Sequence, residues 1–340
     1  MSFLKAIYAT NGKKLLILNT MKEKENKVSR KNALRKGVMA LLGVSTLPLS
    51  AMTRTSKNKD ITTTSEYKGK TAFITGGARG IGLATAEMFA SEGANVVLFD
   101  IANDKIEGIG YSVSSKQDLE NAKAKIEALG VKCLAIRGDV RDKKSLDDAV
   151  EQAISKFQSI DFAIVNAGVT QIGNLTEFNE QEIAAILDIN VAGVIKTTQA
   201  VIPQMRKQKS GRIVFISSIL GRKGNKDWPV YTASKWAVIG FAKSAAHLLG
   251  KDNITCNIIC PGLVNTKLVN NSFILERWLP QSPKWESVNE WVKSNSPIPM
   301  GAYEPSAIAE IVKMFCSQRM FNITGEVFDI NQGESAESYA

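Results

Sequence analysis

From Lys70 onward the chain alternates short apolar runs with amphipathic stretches, and no other feature restricts its possible folds so strongly. "KTAFIT" and "ANVVLFD" read as buried strands, with "GIGLATAEMFASEG" between them as a helix stopped by glycine. "LENAKAKIEALG", "VKCLAIRGD", "SLDDAVEQAISKF" and "IDFAIVNAG" continue the alternation. Strands that are apolar along nearly their whole length, each followed by a helix, belong to a parallel sheet covered on both faces. The expected fold class is therefore α/β, three-layered and doubly wound. No repeat of solenoid period is present.

Between the first strand and its helix lies "TGGARGIG", Thr75 to Gly82. Gly76, Gly80 and Gly82 allow a tight turn and let backbone approach a pyrophosphate, with the helix N-terminus facing its charge. A glycine turn can be purely structural, but a strand before it and a helix after it favour the nucleotide reading. Asp100 closes the second strand, where a carboxylate can accept from ribose hydroxyls and repel a 2′-phosphate, favouring NAD over NADP. Arg79 pulls the other way, since a guanidinium can pair with that phosphate; Asp100 carries more weight because it opposes the phosphate directly.

Further on, "RIVFISS" is a strand ending in Ser217-Ser218, and "YTASKWAVIGFAKSAAHLLG" is a long helix carrying Tyr231 and Lys235 on one face. Phenol is a poor base at neutral pH; a neighbouring ammonium stabilises the phenolate and should depress its pKa. Such a pair at the carboxyl edge of a parallel sheet can move a proton. The one histidine, His247, has no placed acid and nucleophile to make a triad.

These residues together resemble the short-chain dehydrogenase/reductase family, over about Tyr67 to Gly333. The matching motifs are TGGARGIG, Asp139-Val140, Asn166-Ala167-Gly168, Asn190 in "LDINVAG", Ser218, YTASK, and Pro261-Gly262 with Thr266. The resemblance implies a Rossmann fold of about seven strands in the order 3-2-1-4-5-6-7. It implies Tyr231 as general acid/base, Ser218 as donor to the substrate oxygen, Lys235 on the nicotinamide ribose, and Asn190 holding a water that links Lys235 to solvent. Cofactor contacts would come from Gly76, Arg79, Gly80, Ile81, Gly82, Asp100, Ile101, Asp139, Val140, Asn166, Ala167, Gly168, Tyr231, Lys235, Pro261, Gly262, Val264 and Thr266. No metal is implied. The implied activity is hydride transfer between NAD and an alcohol or ketone, by a homodimer or homotetramer. A sugar-nucleotide epimerase or dehydratase, or a redox sensor that binds NAD without turnover, are the rival readings.

Two segments depart from the simplest family pattern. Residues 101–115, "IANDKIEGIGYSVSS", make a long loop where βα connections are usually short, before a helix with Ser115 as N-cap and Asp118 three residues later. With its flanks the insertion resembles the mycofactocin-associated, carveol dehydrogenase-like subgroup, which implies a nicotinamide cofactor that does not exchange freely. Residues 263–300 form a lid over substrate by the family resemblance, and hold Trp278, Trp285 and Trp291. These rings can line an apolar or sugar-binding pocket, or simply pack the lid down.

The formal charge of +10 lies wholly in residues 1–60, leaving a balanced remainder with no electrostatic footprint for nucleic acid. The four cysteines form no CxxC pair, and Cys256 and Cys260 lie too far apart along one strand for a disulfide. Residues 1–51 read as an export signal: a basic part, then an apolar run from Gly37 to Ala51 that is too short to span a bilayer, ending in "LSA". "SRKNALR" resembles a twin-arginine signal, with Lys31 in place of the second arginine and Ala33 in place of a bulky residue. Residues 52–66 would be a linker and 67–340 a single domain. The expected address is periplasmic, with a cytoplasmic protein bearing an uncleaved extension as the alternative. An exported enzyme would have to carry its NAD along, and redox balance would then need a second substrate or an external electron carrier.

Overall fold

The computed structural model describes residues 65–337. The leader and nearly all of the linker expected from the sequence lie outside these residues. Seven parallel strands form one sheet: β1 (Thr71–Thr75), β2 (Asn95–Asp100), β3 (Cys133–Arg137), β4 (Phe162–Val165), β5 (Gly211–Ile216), β6 (Ile254–Pro261) and β7 (Val327–Ile330). Their spatial order is β3-β2-β1-β4-β5-β6-β7, the doubly wound order expected from the sequence. The order reverses between β1 and β4, so a crevice opens there beyond the carboxyl ends of the strands.

Side chains that alternate along each strand feed two cores. Phe73, Val97, Phe99, Ile213 and Phe215 meet α3 (Lys143–Phe157), α5 (Gly193–Gln208) and α6 (Pro229–Leu249) on one face. Ala72, Ile74, Val96, Leu98 and Val214 meet α1 (Gly80–Ser91), α2 (Lys116–Ala128) and α9 (Pro305–Cys316) on the other. All of β1, β5 and β6 is buried, the polar Thr71, Thr75, Arg212, Thr255 and Asn257 included, so no face of these strands meets solvent. Cys256 and Cys260 are free and buried on β6, and burial pushes both thiols up to about 12, so they remain protonated core residues.

Three local structures bear on the site. Ser115 and Asp118 form a reciprocal capping box at the start of α2, which fixes where the insertion ends. The helix α4 (Glu180–Leu187) runs through a π-helical stretch, Asp188–Ala192, into α5; the widened turn carries Asn190. The lid contains two helices, α7 (Ser272–Trp278) and α8 (Trp285–Asn295). At the domain's start, Glu66 accepts from Ser317 Oγ and the Gln318 N–H, and Tyr67 donates to the Lys313 carbonyl. The chain is thus docked on the end of α9 one residue before the boundary expected at Tyr67.

Candidate active site

The β1–α1 turn is shaped by what it excludes. Gly76 and Gly80 have φ of +66° and +59°, where a side chain is strained. A Cβ on Gly82 would lie 2.1 Å from the Gly76 carbonyl oxygen. Asn166, at the end of β4, donates from Nδ2 to the carbonyls of Thr75 and Gly76. The Asn166 and Ala167 N–H groups both donate to Thr75 Oγ1. Arg79, the N-cap of α1, makes no side-chain cap, and the first turn holds no acidic residue. The leading N–H groups of α1 therefore face the crevice with no side chain satisfying them, a setting that suits a bound anion.

Asp100 is buried at the end of β2. One carboxylate oxygen accepts from the Ala78 N–H at 2.9 Å; the other accepts from the Ala102 N–H at 3.2 Å and from Ser114 Oγ. About one of its roughly four acceptor sites is left for a ligand hydroxyl. Arg79 donates to the Ser112 carbonyl at 3.1 Å. Both groups that the sequence sets against each other over NAD and NADP are thus held by the insertion. Asp139 is gripped by the Arg141 guanidinium and the Arg141 N–H.

At the other end of the crevice Tyr231 and Lys235 project from α6 beside the end of β5. Lys235 Nζ donates to the Ile216 carbonyl at 3.0 Å and sits 5.5 Å from the Tyr231 ring centre. Burial depresses the ammonium to about 8. The sequence argument expected the lysine to lower the tyrosine. Instead burial dominates and holds the Tyr231 phenol above its ordinary value, with a hydrogen bond to Ser218 pulling it partly back. Ser218 Oγ accepts from the Leu220 N–H at 3.1 Å, so its own hydrogen serves the Tyr231 oxygen or a ligand oxygen in its place. Asn190 is fully buried and its side chain serves structure: Oδ1 accepts from the Val169 N–H, and Nδ2 donates to the Val169 carbonyl and to Ser234 Oγ. It clamps the loop after β4 against α6, which uses both amide hydrogens and leaves one acceptor position on Oδ1 for a water.

One cavity of about 510 Å³ joins both ends. Of the residues singled out from the sequence, Gly76, Arg79, Gly80, Ile81, Asp100, Ile101, Asp139, Val140, Asn166, Ala167, Gly168, Ser218, Tyr231, Lys235, Pro261, Gly262, Val264 and Thr266 line it. Gly82 and Asn190 do not; they lie behind the wall and shape it. The glycine cradle, the uncapped helix end and the buried Asp100 suit a dinucleotide. Among the described residues no His, Cys, Asp or Glu cluster has the arrangement of a metal site.

The sequence reading missed most of the acceptor-side wall. Trp228 is buried beside Trp278 with ring centres 5.0 Å apart, and Trp278 meets Trp291 at 5.7 Å, both edge to face. All three line the cavity, whereas Trp285 does not. The insertion also reaches this wall. Tyr111 is buried, its hydroxyl accepts from the Thr170 N–H at 3.0 Å, and its ring lies 6.4 Å from that of Phe273 on the lid. Gln171 holds the insertion from below, donating to the Gly108 carbonyl and accepting from the Gly110 N–H. A buried-prone aromatic in a loop of glycines and serines was the available signal for Tyr111; Gln171 offered none.

Comparison with known proteins places this arrangement. Residues 70–275 match the family described as short chain dehydrogenase. The chain is 33% identical over 267 residues to a 3-oxoacyl-[acyl-carrier-protein] reductase of Thermotoga maritima, covering 78% of this chain and 98% of that protein. The structure is similar to carveol dehydrogenase from Mycobacterium avium in complex with NAD, with TM-score 0.76 and 29% identity over 79% of this chain and 98% of that one. It is also similar to levodione reductase, with TM-score 0.71, 29% identity, and 79% and 98% of the two chains covered.

Proposed function

Because this chain belongs to the short-chain dehydrogenase family, we propose that it is an NAD-dependent dehydrogenase acting on an apolar alcohol or its ketone. NAD, when bound, supplies the hydride acceptor, and its reduced form the donor. The glycine turn and the first turn of α1 hold the pyrophosphate, Asp100 one ribose hydroxyl, and Lys235 the other ribose through donors not used on Ile216. Tyr231 exchanges the proton with the substrate oxygen, and Ser218, whose oxygen accepts from the Leu220 N–H, donates to that same oxygen. The observation that carries this reading is the convergence of Tyr231, Ser218 and Lys235 at one end of a cavity whose other end is the glycine cradle. The raised phenol suits an acid that donates to a ketone oxygen. For alcohol oxidation it has to be lowered by positive charge arriving with the oxidised cofactor.

The reading extends to retention. Ile106, Tyr111, Val113 and Ser114 of the insertion line the cavity, so the nucleotide would lie under a strap pinned by Gln171 and Arg79. This supports tightly held NAD, as the resemblance to the mycofactocin-associated subgroup implies. It also suits an exported enzyme with an external electron carrier, a proposal that rests on the leader and on nothing in the described residues. Trp236 and Leu248 are half exposed on α6, which supports pairing of that helix in a dimer or tetramer. Native mass spectrometry of the purified protein tests the core of the proposal. It should show one NAD(H) per chain after extensive dialysis; a nucleotide-free protein that neither binds NAD nor reduces it with any alcohol sinks the reading. Fractionation of the host with N-terminal sequencing tests the address separately, the mature chain being expected to begin near Met52.

A further inference from the structure

The insertion brings a hydroxyl to the substrate end of the cavity that the reaction does not use. Tyr111 O–H accepts from the Thr170 backbone, and no described residue accepts the hydrogen it has to give. Burial pushes this phenol up to about 12, so at neutral pH it is a donor. A buried hydroxyl whose hydrogen has no acceptor is costly enough that one on a cavity-lining residue implies a ligand atom to meet it. Tyr111 lines the same cavity as Tyr231. Tyr111 and Tyr231 also share one small cluster with Leu220, Trp228, Leu268 and Trp278, so the space around these hydroxyls is otherwise aromatic and aliphatic.

We infer that Tyr111 forms a second oxygen-binding site, and that the substrate is an alcohol or ketone bearing a further hydroxyl or carbonyl oxygen. The inference rests on the dehydrogenase reading for which oxygen reacts: Tyr231 and Ser218 take that one, and Tyr111 donates to the other. A substrate with a single oxygen fits the aromatic wall but leaves the Tyr111 hydrogen without an acceptor.

The test is binding, read by quenching of the Trp228 and Trp278 fluorescence in the protein as purified with its nucleotide. The ligands are cyclohexanol, trans-cyclohexane-1,2-diol and cyclohexane-1,4-diol. At least one diol should bind more tightly than cyclohexanol. Tyr111→Phe keeps the ring against Phe273, and should weaken the preferred diol roughly tenfold while changing cyclohexanol less than about twofold. Should Tyr111→Phe fold poorly, the ranking of the diols against cyclohexanol in the parent protein still decides the matter. The inference is overturned if neither diol exceeds cyclohexanol, or if Tyr111→Phe weakens all ligands alike. It is equally overturned if Tyr111→Phe releases the nucleotide while diol preference persists, since the hydroxyl then serves the cofactor. Fluorescence reports binding without turnover, so a protein that prefers diols but transfers no hydride would refute the proposed reaction and leave this site standing.

Discussion

The two ends of the cavity are made of different material. The nucleotide end is backbone: two positive-φ glycines, a helix terminus, and carbonyls stapled by Asn166, all within short segments that follow β1 and β4. The acceptor end is side chains: Tyr111, Trp228, Phe273 and Trp278 come from three separate segments and meet only in the folded chain. A backbone cradle tolerates no added atom, because its neighbours cannot move independently. A side-chain wall can repack at modest cost. The same fold thus holds a fixed cofactor site beside an acceptor site open to variation.

Gly82→Ala is the harshest test of that contrast. Its methyl would lie 2.1 Å from the Gly76 carbonyl oxygen and 2.8 Å from the Asn166 amide nitrogen that staples that carbonyl. The variant should lose nucleotide binding altogether and show a marked fall in melting temperature. Gly224→Ala, where an added Cβ meets nothing within 4 Å, serves as the control and should stay within about 0.5 kcal/mol of the parent. A Gly82→Ala protein that still copurifies with NAD would mean that the cradle is softer than argued.

Next in size is Tyr231→Phe. The ring remains in the apolar cluster, so fold and nucleotide content should be unchanged, while turnover falls by about two orders of magnitude or more with the loss of the proton donor. Steady-state rates alongside nucleotide content separate the two ends of the cavity cleanly. Near-normal turnover would remove Tyr231 from the chemistry.

A smaller effect is expected at Asp100, where the two materials meet. Asp100→Ala removes the charge opposed to a 2′-phosphate, and should shift the ratio of NAD to NADP affinity about tenfold toward NADP. It also strips acceptors from the Ala78 and Ala102 N–H groups, so stability should drop as well. Ser114→Ala keeps the carboxylate and frees the acceptor site that Ser114 occupies; its cofactor preference should remain for NAD. Parallel shifts in both variants would show that insertion geometry, not charge, selects the nucleotide.

How much was legible in the sequence follows the same division. Gly76, Gly80, Asp100, Tyr231 and Lys235 could be found because each sits at a fixed offset from a strand end or on one helical face. Asn166 and the strand order came with the family resemblance that these residues carry. Trp228 could not be assigned, since nothing near it in the chain reveals that Trp278, fifty residues later, will lie against it. Asn190 was found, but its clamping of Val169 to Ser234 is a partnership that spacing alone does not show. The direction of the Tyr231 shift was misjudged for a related reason. Spacing set Lys235 beside it but said nothing about how deeply both groups are buried.

The subtlest test lies where insertion and lid touch. An added Cβ on Gly110 would sit 2.1 Å from Phe273 Cε2. The atom in the way belongs to a partly exposed side chain. Phe273 can therefore swing aside together with Arg277, which stacks 3.7 Å from its ring centre, giving up its contact with Tyr111 and part of the apolar cover. Gly110→Ala should then fold normally, in contrast to Gly82→Ala, and retain the pyrophosphate cradle intact. What it should lose is closure: the strap would be held by Gln171 and Arg79 but no longer pressed down by the lid. Exchange of labelled NAD into the protein should quicken by a few-fold, corresponding to about 1 kcal/mol of lost contact. Unchanged exchange would mean that the insertion retains nucleotide through its own anchors alone. Exchange as fast as after excision of Asn103 to Val113 would instead assign retention to the Gly110–Phe273 contact, and place the lid in control of both ends of the cavity.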